Sequence, residues 1–169
     1  AVLAPLLTNY RVISIDLSGH GLSSHRSADA NSHIWDDIPQ LVAVIDQLGV
    51  SGAHIVGHSR GAAVAGMLAV ALNELCLSLT MLDGMISRSF ENDDGAELFR
   101  TSLTERTKYM ARPPRIFESV EQFIDSRSRY GFTRKNAEVL VPRALRRIDE
   151  GWLLLSDPKL FGSSNLSLI

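Results

Sequence analysis

A serine with a glycine two residues away on each side is the strongest chemical signal in this sequence. Ser59 lies in Gly57-His58-Ser59-Arg60-Gly61, the pattern G-x-S-x-G, between a predicted strand and a predicted helix. A strand that reverses sharply into a helix exposes its turn residue, and small neighbours avoid Cβ collisions. The pattern predicts that Ser59 is a nucleophile. The backbone N–H of Arg60, at the helix N-terminus, is the predicted donor to an oxyanion.

A glycine-rich turn between a strand and a helix can also bind a phosphate group, or nothing at all. Phosphate-binding turns carry G-x-G-x-x-G or a P-loop lysine, and the segment around Ser59 has neither. The sequence also contains no metal-ligand cluster and no cofactor fingerprint. The context therefore favours the nucleophile, and we expect no metal and no cofactor.

The elements around this turn alternate between strands and helices in the first half of the chain. Asp36 or Asp37 can cap the first predicted helix, and Gly49 can end it. The alternation of strands and helices predicts an α/β fold with a parallel sheet and helices on its faces. The apolar patterns predict strands at 11–16, 53–57 and 78–82, and helices at 37–48 and 60–74.

The second half is predicted to be helical, with no clear strand between its helices. Ser119 and Thr133 are the predicted N-caps of the helices that begin at these two residues. We interpret this block as a helical cap over the sheet. The predicted helices of this cap are 92–112, 119–129 and 133–148, and a separate helix start is predicted at 162–169, at the end of the chain. The predicted division of the chain is a partial core at 1–84, a cap at 85–150 and a return segment at 151–169.

A second motif follows the first predicted strand, in the eight residues from Asp16 to Ser23, which read D-L-S-G-H-G-L-S. Together with the turn at Ser59, it resembles the α/β-hydrolase superfamily, whose members often carry D-x-x-G-H-G-x-S before the nucleophile strand. The resemblance implies that Asp16 and His20 brace the site and shape its wall without reacting directly.

The end of the chain is similar to esterase-like and serine hydrolase-like members of that superfamily. Gly151-Trp152 and Asp157-Pro158-Lys159 match their GGW…DPR stretch. Glu150 stands where these members usually have the first glycine, and Lys159 stands where they have arginine.

The resemblance implies a catalytic triad in the chain order serine, acid, histidine. All five histidines precede Ser59, so the base is expected beyond Ile169; they are His20, His25, His33, His54 and His58. Asp83, at the end of the third predicted strand, is a candidate acid, while other members keep their acid after a later strand. The second oxyanion donor is expected before residue 1.

The implied fold is therefore a partial α/β-hydrolase fold whose N- and C-terminal parts are missing. The resemblance places a strand from before residue 1 between the first two strands predicted here. Without that additional strand, buried backbone N–H and C=O groups would be unpaired, at a cost of about 1–3 kcal/mol for each group. We expect residues 1–169 alone not to form a stable domain.

The favoured function is hydrolysis of a small-molecule acyl substrate, such as an ester, through an acyl-enzyme on Ser59. His58 and Met85 are the candidate substrate-binding residues. Dehalogenases and epoxide hydrolases of this fold carry aspartate at the nucleophile position, so the serine at position 59 argues against both activities. A cofactor-free haloperoxidase has serine there and remains an alternative. The alternatives are a non-catalytic binding protein that retains the fold and an inactive truncated product. Apolar cap residues would line the acyl pocket or, more often in such folds, form the cap core: Phe90, Leu98, Phe99 and Tyr109.

The composition is that of an ordinary globular domain. Of the 169 residues, 45% are hydrophobic and 21% are charged, and the net charge of −2 predicts no nucleic-acid partner. The three arginines within 143–147 are interpreted as a solvated helix face. No apolar run reaches the ~18 residues of a membrane span. The single cysteine, Cys76, excludes an internal disulfide and favours a cytoplasmic location.

Overall fold

The computed structural model describes residues 4–27, 30, 33–84, 100, 104, 108 and 113–161. The chain divides into two compact units, each described by itself. One comprises residues 28–110 and 161–169, and the other comprises residues 1–27 and 111–160. The helix start predicted at 162–169 and nearly all of the helix predicted at 92–112 lie outside the described residues.

The unit formed by residues 28–110 and 161–169 contains a two-stranded parallel sheet. Strands β1 (Ala53–His58) and β2 (Cys76–Leu82) pair in parallel, with His58 opposite Leu82. Helix α1 (Asp37–Gln47) precedes β1, and helix α2 (Arg60–Ala71) connects the two strands. These bounds confirm the four elements predicted here and the parallel sheet.

Helix α2 forms the core of this unit because its residues are small and apolar on most sides. It contacts both strands and α1, which contributes the buried Leu41. Gly49, with φ +62°, donates its N–H to Asp46 O (3.0 Å), and so ends α1 as predicted. The buried residues of α2 are Ala62, Ala63, Val64, Ala65, Gly66, Met67 and Leu68.

The strand predicted at 11–16 does not form, so this prediction is wrong. Residues 11–17 have no regular secondary structure, and Val12, Ile13 and Ile15 are 44%, 41% and 38% exposed. A strand needs a neighbour to accept and donate its backbone hydrogen bonds, and neither described sheet supplies one to this segment. The β-branched composition indicates strand tendency, but tendency without a partner does not make a ladder.

The unit formed by residues 1–27 and 111–160 contains a three-stranded antiparallel sheet that the sequence did not predict. Its order is β3–β5–β4, with β3 at Ile116–Phe117, β4 at Leu145–Ile148 and β5 at Gly151–Leu154. At Gly151, φ is +142° and an added Cβ would lie 2.5 Å from Phe117 O. Glycine at this position therefore lets β3 and β5 approach closely.

Two helices pack beside this sheet, α3 (Val120–Ser128) and α4 (Arg134–Ala144). Ser119 Oγ accepts from Gln122 N (3.1 Å) and Thr133 Oγ1 accepts from Asn136 N (3.3 Å), which confirms both predicted caps. The core of this unit consists of Phe117, Phe123, Ile124, Ala137 and Leu145.

The helix predicted over 133–148 is wrong in its last turn, because the chain becomes extended at Leu145 and continues as β4. Pro142 lies in the last turn of α4 and offers no N–H to the helix, while β5 supplies partners for residues 145–148. Arg146 and Arg147 are exposed on that strand, so the interpretation of this run as a helix face is also wrong.

Candidate active site

Ser59 occupies a strained turn between the end of β1 and the start of α2. Its φ is +52° and its ψ is −122°, a conformation that costs a non-glycine residue about 1–3 kcal/mol, and the residue is exposed. Ser59 N donates to Leu82 O (2.9 Å), and Ser59 O accepts from Ala62 N (2.9 Å). The next strand and the next helix therefore hold the backbone of this turn from both sides.

Gly57 makes the close approach that the turn requires. A Cβ added there would lie 2.5 Å from the carbonyl carbon of Gly61 and 2.7 Å from Ala62 Cα. A Cβ added at Gly61 would meet no described atom within 4 Å. The predicted Cβ collision is thus confirmed for Gly57 and wrong for Gly61, which takes part in the contact through its main chain.

The end of β2 lies against the same turn. Asp83, the candidate acid, follows β2 directly with φ +48° and is exposed. A Cβ added at the next residue, Gly84, would lie 2.7 Å from Ser59 O and 2.7 Å from Ala62 Cβ. The structure therefore places Asp83 next to a residue that packs on the Ser59 backbone. The role of Gly84 was missed by the sequence reasoning, although a glycine just after a strand end is a recognisable signal.

The side chain of Arg60 is held by a carboxylate from helix α1. Arg60 Nη2 donates to Asp37 Oδ2 at 2.9 Å, and Asp37 is only 2% exposed. Asp37 does not serve as the helix cap, since Asp36 occupies the N-cap position and makes no side-chain cap bond. No local sequence pattern indicates this pair, because its two residues are 23 positions apart in the chain.

Of the two candidate substrate-binding residues, the structure describes one. His58 is the last residue of β1 and is exposed beside Ser59 in the chain. Met85 lies outside the described residues, as do the four apolar cap residues named with it. His54 Nδ1 lies 2.8 Å from Ser78 Oγ on the adjacent strand, so its hydrogen bond is a cross-strand contact.

The motif that begins at Asp16 forms a compact loop in the unit of residues 1–27 and 111–160. The Asp16 carboxylate accepts from Leu22 N (2.9 Å) and pairs with the guanidinium of Arg143. Burial alone would raise the pKa of Asp16, but the hydrogen bonds from Arg143 and Leu22, with the charges of Arg143 and His20, outweigh it and lower that pKa. These contacts are those of a residue that braces a loop.

The Asp157-Pro158-Lys159 stretch is attached to the same loop. Asp157 N donates to Gly19 O (2.8 Å), and Lys159 Nζ donates to Arg26 O (3.0 Å) and Ser27 O (2.6 Å). Lys159, which stands in place of arginine, therefore works as a donor to main-chain carbonyl groups.

The described ranges contain neither a cluster of potential metal ligands nor a membrane-spanning helix. No group of three or more His, Cys, Asp or Glu side chains there could hold a metal ion. No helix in those ranges has both the length and the apolar character needed to cross a bilayer.

Comparison with known proteins identifies the family. Residues 1–164 match the family model for the alpha/beta hydrolase fold. A serine hydrolase-like protein of Danio rerio is 30% identical over 162 residues, which cover 92% of this chain and 49% of that protein. A serine hydrolase-like protein of Dictyostelium discoideum is 27% identical over 174 residues, which cover 96% of this chain and 48% of that protein.

Solved structures agree with this match. A hypothetical protein from Pseudomonas aeruginosa PAO1 superposes with a TM-score of 0.88 and 31% identity, over 98% of this chain and 60% of that one. The chain spans about half the length of the curated relatives it matches. The predicted resemblance and fold class are confirmed, and the chain belongs to the α/β hydrolase fold family.

Proposed function

We propose that the complete protein is a serine hydrolase that cleaves a carboxylic ester or a related acyl compound through an acyl-enzyme on Ser59. One observation carries the proposal, namely that Ser59 is exposed at a turn with φ +52° between a parallel strand and a helix. Strain of this kind persists only where the surroundings impose it, and it is concentrated at functional sites. Here Gly57 and Gly84 provide the close contacts that impose it.

The chemistry follows from the position of the hydroxyl. Ser59 Oγ would attack the carbonyl carbon of the substrate, forming an O–C bond while the carbonyl oxygen takes up the negative charge. A general base would accept the hydroxyl proton and return it to the leaving alcohol as the acyl-enzyme forms. Water would then release the acid and regenerate Ser59.

Arg60 would supply one of the two donors to the developing oxyanion. Its amide is the first of α2, and the first amides of a helix point out of its N-terminus, where negative charge is favoured. One such donor contributes roughly 10²- to 10³-fold to kcat in measured hydrolases.

The remaining members of the site are proposed on the family pattern. Asp83, at the carboxyl end of β2, would be the acid of the triad, unless a residue after a later strand takes this role. The base, a histidine, and the second oxyanion donor would come from parts of the complete protein outside this chain. Residues 85–150 would form a cap whose Met85, together with His58, contacts the acyl group.

Covalent labelling tests the proposal. The complete protein is treated with a fluorophosphonate probe alongside Ser59→Ala and a control, Ser51→Ala, which removes an exposed serine that precedes β1. We expect labelling of the unsubstituted protein and of the control, and none of Ser59→Ala. A folded, unlabelled protein would overturn the proposal in favour of a binding protein that retains the fold.

A further inference from the structure

A partly buried ion pair links the first residue of α2 to the first residue of α1. Arg60 is 28% exposed at its side chain, and its guanidinium donates to the carboxylate of Asp37, which is 2% exposed. The two helices also contact each other along their packed faces. The pair therefore ties the residue after the candidate nucleophile to a different element of the same unit.

The free energy of folding gives little reason for an ion pair in this position. Withdrawing a carboxylate from water is expensive, and a well-packed apolar pair is often as stable as a buried ion pair or more stable. Net stability is therefore a weak reason for placing an aspartate here. What the pair supplies is a charge-assisted hydrogen bond of 2.9 Å from Arg60 Nη2 to Asp37 Oδ2, which ties the Arg60 side chain to α1.

The start of α2 is where such a constraint matters. Helix ends tend to fray, and Ser59, in the N-cap position, makes no side-chain cap bond to α2. The backbone before Arg60 is fixed by its contacts with β2 and Gly84, whereas the bond to Asp37 fixes Arg60 itself. Both constraints act on the peptide group whose N–H is the proposed oxyanion donor.

We infer that Asp37 is a positioning residue, which holds the Arg60 amide in place for the oxyanion through the Arg60 guanidinium. The inference rests on the proposed function of Ser59 and deepens it. In this role Asp37 touches no reacting atom, and since an oxyanion donor acts mainly in the transition state, its loss is expected to lower kcat and leave KM nearly unchanged.

The experiment compares an ester with its thiono analogue in the complete protein. A thiono ester develops its charge on sulfur, a large and weak hydrogen-bond acceptor, so oxyanion donors accelerate its cleavage much less. The ratio of kcat for the ester to kcat for the thiono ester therefore reports oxyanion stabilisation. A loss of folded protein lowers both rates equally and leaves this ratio unchanged.

Four variants are measured with both substrates. Asp37→Asn and Arg60→Met each break the pair, and the double variant removes both partners, so that no buried charge is left alone. Asp46→Asn, which removes an exposed carboxylate from the same helix, is the matched control. In the three pair variants we expect kcat for the ester and the substrate ratio to fall together by about 10- to 100-fold, with KM nearly unchanged.

The double variant should lose no more than either single variant, because all three remove the same constraint. Because it leaves no unpaired buried charge, it is the variant on which the test rests if a single substitution does not fold. A double variant with the substrate ratio of the unsubstituted protein would overturn the role of Asp37 while leaving the proposed function intact. Absence of any Ser59-dependent turnover in the unsubstituted protein would overturn the proposed function, and this inference with it.

Discussion

Replacing either glycine that flanks Ser59, Gly57 or Gly61, with alanine adds a methyl group beside the turn. Substitution of Gly57 by alanine places a methyl group 2.5 Å from the carbonyl carbon of Gly61 and 2.7 Å from Ala62 Cα. Both are backbone atoms, which cannot rotate away as a side chain can. Overpacking typically costs about 1–3 kcal/mol, and the rigidity of this contact puts Gly57→Ala at about 3 kcal/mol or more.

The same substitution at Gly61 has the opposite expectation. Apart from its chain neighbours and the backbone of its own helix, the added methyl group meets no described atom within 4 Å, and Gly61 is the second residue of α2. Alanine is favoured over glycine within a helix by about 0.5–1 kcal/mol, so Gly61→Ala should be neutral or slightly stabilising.

Urea unfolding of the complete protein, followed by circular dichroism, measures both changes in the free energy of unfolding. The difference of about 3 kcal/mol between the variants is a large part of the 5–15 kcal/mol that stabilises a typical domain. Equal losses for the two variants would refute the reasoning, as would a Gly57→Ala protein within about 0.5 kcal/mol of the unsubstituted one.

Three further substitutions test other parts of the account. Ser59→Gly should relieve about 1–3 kcal/mol of backbone strain and lose about 0.5–1 kcal/mol through glycine entropy. Ser59→Gly should therefore gain about 1 kcal/mol in the free energy of unfolding, and Ser59→Ala, which retains its Cβ, should not. Equal free energies of unfolding for these two variants would contradict the proposed backbone strain at Ser59. The pKa of Asp16 is lowered in the folded state, so its contribution to stability is present above its ordinary value of 3.8 and is lost as the pH falls through the folded-state pKa. Stability measured against pH should therefore decline less steeply in acid for Asp16→Asn, and an unchanged profile would contradict this. Gly151→Ala should cost about 2 kcal/mol or more by thermal unfolding, because its Cβ would lie 2.5 Å from Phe117 O; an unchanged midpoint would show that β3 can move aside.

The sequence predicted the turn at Ser59 and its neighbouring elements because each carries a local signal. Residues 53–58 contain an apolar core and lead into the glycine pattern, and α2 after Arg60 is a continuous run of apolar residues, most of them small. Gly49 marks the end of α1, and hydroxyl side chains mark the starts of α3 and α4. All of these signals act within a few residues, so no tertiary information was needed.

The predictions failed where an element depends on a distant partner. Residues 11–16 have the composition of a strand but pair with no described strand, while residues 145–148 continue a helical pattern and become a strand because β5 lies beside them. The bond between Asp37 and Arg60 is likewise invisible in the sequence, since only the packing of α1 against α2 brings the two side chains together. Distant pairing of this kind has no local sequence signature.

Site-resolved mass spectrometry of the trapped intermediate tests the central claim most directly. The complete protein is mixed with an activated ester, quenched in acid at the end of the pre-steady-state burst and digested with trypsin. We expect the acyl mass on the peptide of residues 27–60, localised by fragmentation to Ser59. An acyl group on any other residue, or hydrolysis of the ester with no adduct at Ser59, would contradict the account.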